Sequence, residues 1–312
     1  MFEDDQVSLK VAVVVLCYNG VELTEGCLES IQKQDYSDLE VILVDNGSKD
    51  GTIPIISEKF PRALWIQNGE NLGYALGNNK GIEYAFNRGV EAIFLVNNDT
   101  RLKPSCISTL MKTMQNDQGI GILGPMVYTW DENKTISSAG GRVNWRMAHA
   151  ENIGMGEIDT GQYPSGEVDF LNGCGILVSR KVIEKVGGLD PKFFMYWEET
   201  DWCLRVKKAG YKIYFEAKGE MEHKASIVSR ELGPTTLYYL TRNRFLFFYR
   251  HTPFASKSMA LLHALDGTLR GINENRRAGK PAHAKAMQWA LRHAVIGQWG
   301  RTDPGLWMSG KS

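Results

Sequence analysis

Three acids stand almost side by side at Glu198, Glu199 and Asp201, directly after the apolar and aromatic run 193–197, FFMYW. Neighbouring carboxylates repel one another, and desolvation beside aromatic rings adds to the cost of their charge. An acid so placed has a raised pKa and is suited to take a proton near neutrality. A plain helix start uses the same residues: Thr200 as N-cap, acids in the first turn, Asp201 pairing with Arg205 at i+4, and Gly210 ending the helix. That reading accounts for Asp201 and Arg205 as structural residues. It does not account for Glu198 and Glu199 following the aromatics so directly, and these two are the candidate proton acceptors.

Four further clusters carry possible chemistry. In Asn97-Asn98-Asp99-Thr100, a carboxylate among small oxygen-bearing side chains suits a hard divalent cation that bridges a diphosphate. A strand-to-helix turn capped by Asp99 or Thr100 is the competing reading. Asp45, in the run VDNGS, reads either as an Asx-turn or as an acceptor for the N3–H of uracil or thymine, a donor that cytosine lacks. Asn71, with Asn78 and Asn79, sits in a Gly-rich approach to a helix, where close backbone and free N–H groups suit phosphate oxygens. His223, in the run MEHKAS, gains a ligand role only if the fold brings it to Asp99.

Strands must present these residues. Residues 10–18 (KVAVVVLCY), 39–45 (LEVILVD), 63–67 (ALWIQ) and 91–99 (EAIFLVNND) are short, β-branched or apolar runs. Between them lie helical spacings over 21–34, 52–60 and 77–88. Such alternation predicts right-handed βαβ units in a doubly wound, mostly parallel sheet. The loops CYNG, DNGS and NNDT each close a strand, where open parallel sheets bind ligands. Neither GxGxxG nor GxxxxGK[ST] follows the first strand, which excludes the dinucleotide fingerprint and the P-loop.

The 312 residues carry 36 basic and 36 acidic side chains, so bulk charge gives no case for nucleic acid. From Val228 onward there are thirteen Lys/Arg against four Asp/Glu, a basic and aromatic region behind an acidic body. Five cysteines without a CxxC pair read as reduced thiols in a cytoplasmic protein. The acidic start MFEDDQVSLK is no secretory signal, and no apolar run reaches the length of a membrane span.

The ordered set VVVLCYNG, VILVDNGSKDGT, NLGYALGNNKG, FLVNNDT, the long run from FLNGCG to YKIYF, and EHKAS resembles the family 2 glycosyltransferases with a GT-A fold, especially their rhamnosyltransferase-like group. The resemblance covers most of residues 10–227. It implies a Rossmann-like, mostly parallel sheet flanked by helices, with a nucleotide-binding half (1–118), an acceptor-binding half (119–227) and a helical, basic C-terminal extension (228–312). It implies inverting transfer of one sugar from a nucleoside diphosphate donor, dTDP-rhamnose in the first place or a UDP-sugar, to a glycan or lipid-linked hydroxyl.

The residue roles follow from that resemblance. Cys17, Tyr18 and Asn19 with Asp45 would hold the base; Asn71, Asn78, Asn79, Asn98 and Asp99 would lie along the donor. Asp99 matches the metal-binding Asp of the DxD motif, whose first Asp is Asn97 here, and His223 would complete a Mg²⁺ or Mn²⁺ site. Glu199 aligns with the catalytic base, and Glu198 is the second choice. Asn172, Gly173 and Trp197 would border the acceptor. The tail, as a basic amphipathic surface, could lie on the inner face of the cell membrane or form a homodimer contact, and aromatic stripes at helical spacing also pack on their own domain. A non-catalytic nucleotide-sugar-binding protein would be expected to lose Glu199 or Asp99. A sugar nucleotidyltransferase would show a Gly-rich basic loop that CYNGVELTEG lacks.

Overall fold

The computed structural model describes residues 9–131, 133–224 and 232–308. Most of the acidic start, the last two residues of EHKAS and the boundary at 227/228 lie outside them. The chain alternates β1 (Val11–Cys17), α1 (Val21–Gln32), β2 (Leu39–Asp45), α2 (Thr52–Lys59), β3 (Leu64–Gln67), α3 (Gly73–Phe86) and β4 (Ala92–Asn97). Then come β5 (Thr100–Leu102), α4 (Cys106–Asn116), β6 (Ile120–Thr129), β7 (Ile136–Ser138), β8 (Gly141–Asn144), β9 (His149–Asn152) and β10 (Gly166–Glu167). The remainder is β11 (Gly175–Ser179), α5 (Arg180–Val186), α6 (Glu198–Lys208), β12 (Lys212–His223), α7 (Pro234–His251), α8 (Phe254–Arg277), α9 (Pro281–Ile296) and α10 (Gly305–Met308).

The main sheet runs β10-β12-β6-β11-β4-β1-β2-β3, with β5 added to β12 and β7 to β6. Strands β1 to β4 are mutually parallel where they pair. Strand β11 enters antiparallel between β4 and β6, and β12 runs parallel to β6. The unbroken apolar character of β1 follows from helices on both faces. Val11, Val13 and Val15 pack with Leu28, Ile31, Ile107 and Leu110, whereas Ala12 and Val14 face the opposite cluster with Ile82 and Ala85.

One element departs from the sequence expectation, and for another the structure decides between alternatives. Helix α3 begins at Gly73 rather than Gly77, because Asn71 Oδ1 accepts the Gly73 N–H at 2.8 Å and Asn46 Oδ1 accepts that of Leu72 at 3.1 Å. The aromatic stretch of α7, left open between its own domain, a second copy and a membrane, is largely core: Leu246, Phe247 and Phe248 share one cluster with Trp202 and Phe215. Trp197 lies 5.0 Å from the Phe247 ring. Among the described residues no helix is long and apolar enough to cross a membrane.

Candidate active site

The acids sit at the mouth of an unusual turn. Phe194, Tyr196 and Trp197 have φ of 66°, 66° and 76°, a left-handed backbone that costs about 1–3 kcal/mol per non-glycine residue. Helix α6 starts immediately after it, with Trp197 at the N-cap position. Thr200 is therefore not the cap expected from sequence; the helix begins three residues earlier, and Glu198 and Glu199 are its first two residues. Asp201 and Arg205 form the i+4 pair, with Arg205 Nε 2.7 Å from Asp201 Oδ2. Burial alone would raise the Asp201 carboxyl, but His251 and Arg205 outweigh it and hold it below its usual value.

Both glutamates line a cleft of about 990 Å³ that also receives Asp99, Asn172, Trp197 and His223. Each keeps one buried oxygen, Oε2, without a hydrogen-bond partner among the described residues. Burial pushes the Glu199 carboxyl up to about 7, against the opposing pull of backbone N–H groups in the first turn. Burial, and then the charge of Glu199, raises Glu198 well above the ordinary carboxylate range. Two acids that cannot both ionise cheaply divide the proton between them. Glu199, pushed only to about 7, is the member of the pair poised to accept a proton near neutrality.

The opposite side of the cleft is built by strand pairing. Strands β5 and β12 run antiparallel with His223 opposite Thr100, and the Lys224 N–H bonds the Asp99 carbonyl at 2.9 Å. This places His223 Nε2 3.2 Å from Asp99 Oδ1, within ion-pair range but not aligned as a hydrogen bond. The capped strand-to-helix turn considered for NNDT does not form, since Thr100 opens a strand. Among the described residues no three His, Cys, Asp or Glu side chains gather as a metal cage. Asp99 and His223 nevertheless fit a hard cation that takes the rest of its shell from phosphate oxygens and water.

The loops after β1 and β2 are tied to each other rather than aimed into this cleft. Asn19 accepts the Lys49 N–H at 2.9 Å, and its own N–H bonds Ser48 Oγ at 2.8 Å. Asn98 Nδ2 reaches Asn19 O at 3.0 Å and Thr24 Oγ1 at 2.9 Å. Tyr18 is half exposed. Asp45 is 1% exposed and accepts the N–H groups of Gly47 and Ser48 at 3.0–3.2 Å, the Asx-type turn that the sequence offered beside base recognition. The Cys17 thiol, pushed up to about 12 chiefly by burial, lies 3.8 Å from Asp45 Oδ1.

Two of the asparagines named with Asn71 are also internal. Asn78 Nδ2 bonds Tyr74 O at 3.0 Å. Asn79 holds both backbone groups of Leu189, at 2.8 and 3.0 Å, so it clamps α3 to the segment leading into the acidic turn. Asn46 went unnoticed in the sequence, yet it knits Asn68, Asn71, Leu72 and Gly73 together.

On the acceptor side, Asn172, Gly173 and Trp197 all line the cleft. Sequence reading missed Tyr74, whose hydroxyl donates to Gly173 O and whose pKa burial raises well above normal. It also missed the hairpin β8–β9, which contributes His149, Glu151 and Asn152 to the wall. The alternating polar pattern of that hairpin was the available signal.

Residues 12–187 match the model of the family Glycosyl transferase family 2. The chain is 27% identical over 245 residues to an N-acetylglucosaminyl-diphospho-decaprenol L-rhamnosyltransferase of Mycobacterium tuberculosis, covering 70% of this chain and 78% of that one. It is 28% identical over 225 residues to the dTDP-rhamnosyl transferase RfbF of Shigella flexneri, covering 68% and 72%. A solved mannosyltransferase, PcManGT from Pyrobaculum calidifontis in complex with GDP-Man and Mn²⁺, shares the fold with a TM-score of 0.57 at 18% identity, over 96% of this chain and 78% of that chain.

Proposed function

We propose, starting from the fact that this chain belongs to glycosyl transferase family 2, that Glu199 is the base of an inverting transfer to a glycan or lipid-linked glycan hydroxyl. The donor is a nucleoside diphosphate sugar, with dTDP-rhamnose favoured by the two rhamnosyltransferase relatives and a UDP-sugar as the next choice. The nucleotide is held on the 1–118 side and the acceptor on the 119–227 side.

The observation that carries this reading is the buried, unpartnered Oε2 of Glu199 in the same cleft as Asp99 and His223. Glu199 takes the hydroxyl proton as the acceptor oxygen bonds to the anomeric carbon. The bond from that carbon to the diphosphate oxygen breaks in the same displacement, its electron pair leaves with the diphosphate, and the configuration inverts. Glu198, whose carboxyl burial and the charge of Glu199 push upward, opposes a second negative charge beside the attacking oxygen. Asp99 and His223 would hold Mg²⁺ or Mn²⁺, which supplies positive charge to the leaving group when bound. Asn172, Trp197 and the β8–β9 hairpin orient the acceptor.

Calorimetric titration of dTDP, UDP, GDP and CDP, with and without Mn²⁺, tests the donor side in wild type and Asp99→Ala. Metal-dependent binding of dTDP or UDP that Asp99→Ala abolishes is the expected result. No binding of any nucleotide in either condition would overturn the assignment.

A further inference from the structure

The left-handed turn before α6 does not sustain itself. Three aromatic residues in a region that L side chains avoid need external fixing, and the fixing comes from α7. Asn243 is fully buried, and its Nδ2 lies 2.8, 2.8 and 2.9 Å from the carbonyl oxygens of Phe193, Met195 and Tyr196. Two N–H bonds are thus shared among three carbonyls. Asn243 Oδ1 accepts Arg242 Nε at 2.9 Å, which sets the end of the amide that faces the turn.

Arg242 is itself fully buried, and burial lowers its pKa. Its guanidinium is satisfied by carbonyls and rings: Gly300 O at 2.7 Å, Phe193 O at 3.2 Å, and the faces of Tyr238 and Tyr239 at 5.2 and 4.9 Å. A third contact comes from the same helix, since Leu240 O accepts Trp197 Nε1 at 3.1 Å. Two turns further along α7, Arg250 and His251 reach Asp201 at 3.3 and 2.8 Å. Helix α7 therefore grips α6 on both sides of Glu198 and Glu199.

We propose that Asn243, oriented by Arg242, is a positioning residue for the reaction: it locks the 193–197 turn and thereby sets where the two glutamates stand in the cleft. The inference rests on the reading of Glu199 as base, but the brace has a readout of its own. Asn243→Leu keeps the volume and removes the donors; Asn243→Asp keeps the shape and turns an oxygen toward the three carbonyls. Both are compared with wild type for dTDP release from dTDP-rhamnose, for dTDP affinity, and for hydrogen exchange in the segment 193–201.

In Asn243→Leu we expect kcat to fall about 100-fold, as a misplaced reacting group does, with dTDP affinity held within about twofold. Exchange in 193–201 should rise about tenfold or more, because the turn opens locally. Asn243→Asp should exceed Asn243→Leu in both respects, which mere packing would not produce. Wild-type exchange in Asn243→Leu overturns the brace, and faster exchange with wild-type kcat overturns its role in positioning. If Asn243→Leu does not fold, Asn243→Ser, which retains one donor, is read by the same two criteria. Should Glu199→Gln keep wild-type turnover, the base assignment falls, and exchange alone still decides the brace.

Discussion

At the scale of residues, Glu198 and Glu199 show how burial and mutual repulsion push two neighbouring carboxyls upward together. Glu199→Gln should cut turnover by about 10²–10⁴-fold while leaving nucleotide binding intact, which single-turnover rates beside calorimetry would reveal. With Glu199 pushed up to about 7, kcat/KM should rise with pH and level off above that value. The same shift has a consequence for stability. A carboxyl raised in the folded state binds more protons there than when unfolded, so its stabilising protonation is full below about pH 4.5 and is lost as pH climbs through 7. The melting temperature should fall between pH 5 and 8, and Glu198→Gln should flatten that slope. A flat wild-type profile would mean that neither acid is desolvated.

At the scale of elements, two backbone approaches set the site. Gly73, at φ +80°, lies so close to the acidic turn that a Cβ there would stand 2.3 Å from Phe194 O. The Tyr74 N–H bonds that same carbonyl at 2.7 Å, so α3 is seated directly against the turn. Gly73→Ala should therefore destabilise the protein by about 2 kcal/mol or more, measured by denaturant midpoint, and lower turnover with it. The second approach is β5 against β12. His223→Ala should weaken metal-dependent nucleotide binding without shifting the melting temperature by more than a few degrees, since His223 lies at the strand's end.

At the scale of the molecule, the C-terminal helices are continuous with the catalytic core. Phe247 and Phe248 are fully buried with Trp202, and Arg301 reaches Glu70 at 2.5 Å across the sequence. Thermal unfolding of the full chain should be one cooperative transition, and a chain cut after Gly233 should fail to give it; two separate transitions would contradict this. Helix α8 leaves Phe254, Met259 and Leu262 exposed, at 93%, 54% and 61%. If this face meets the membrane that carries a lipid-linked acceptor, co-sedimentation with anionic vesicles should be lost in Phe254→Ser/Leu262→Ser.

The parallel half of the sheet was legible because period-2 burial on two faces leaves unbroken apolar runs such as VAVVVLC, and because Asn-Gly and Asp-Gly signals mark the strand ends. The acids of α6 and Asp99 were legible because charge beside aromatics, or at a strand's end, is costly without a use. Side-chain direction was not legible. Asp45 and Asn79 carry the right chemistry at the right loops, yet one bonds its own turn and the other the Leu189 backbone, choices made by three-dimensional neighbours. Nor could local sequence show that Asn243, forty-seven residues beyond Tyr196, holds that residue's carbonyl. Patterns of burial are written locally because each residue's solvation depends on its own element. The pairing of polar groups depends on which elements meet, and only the tertiary structure decides that.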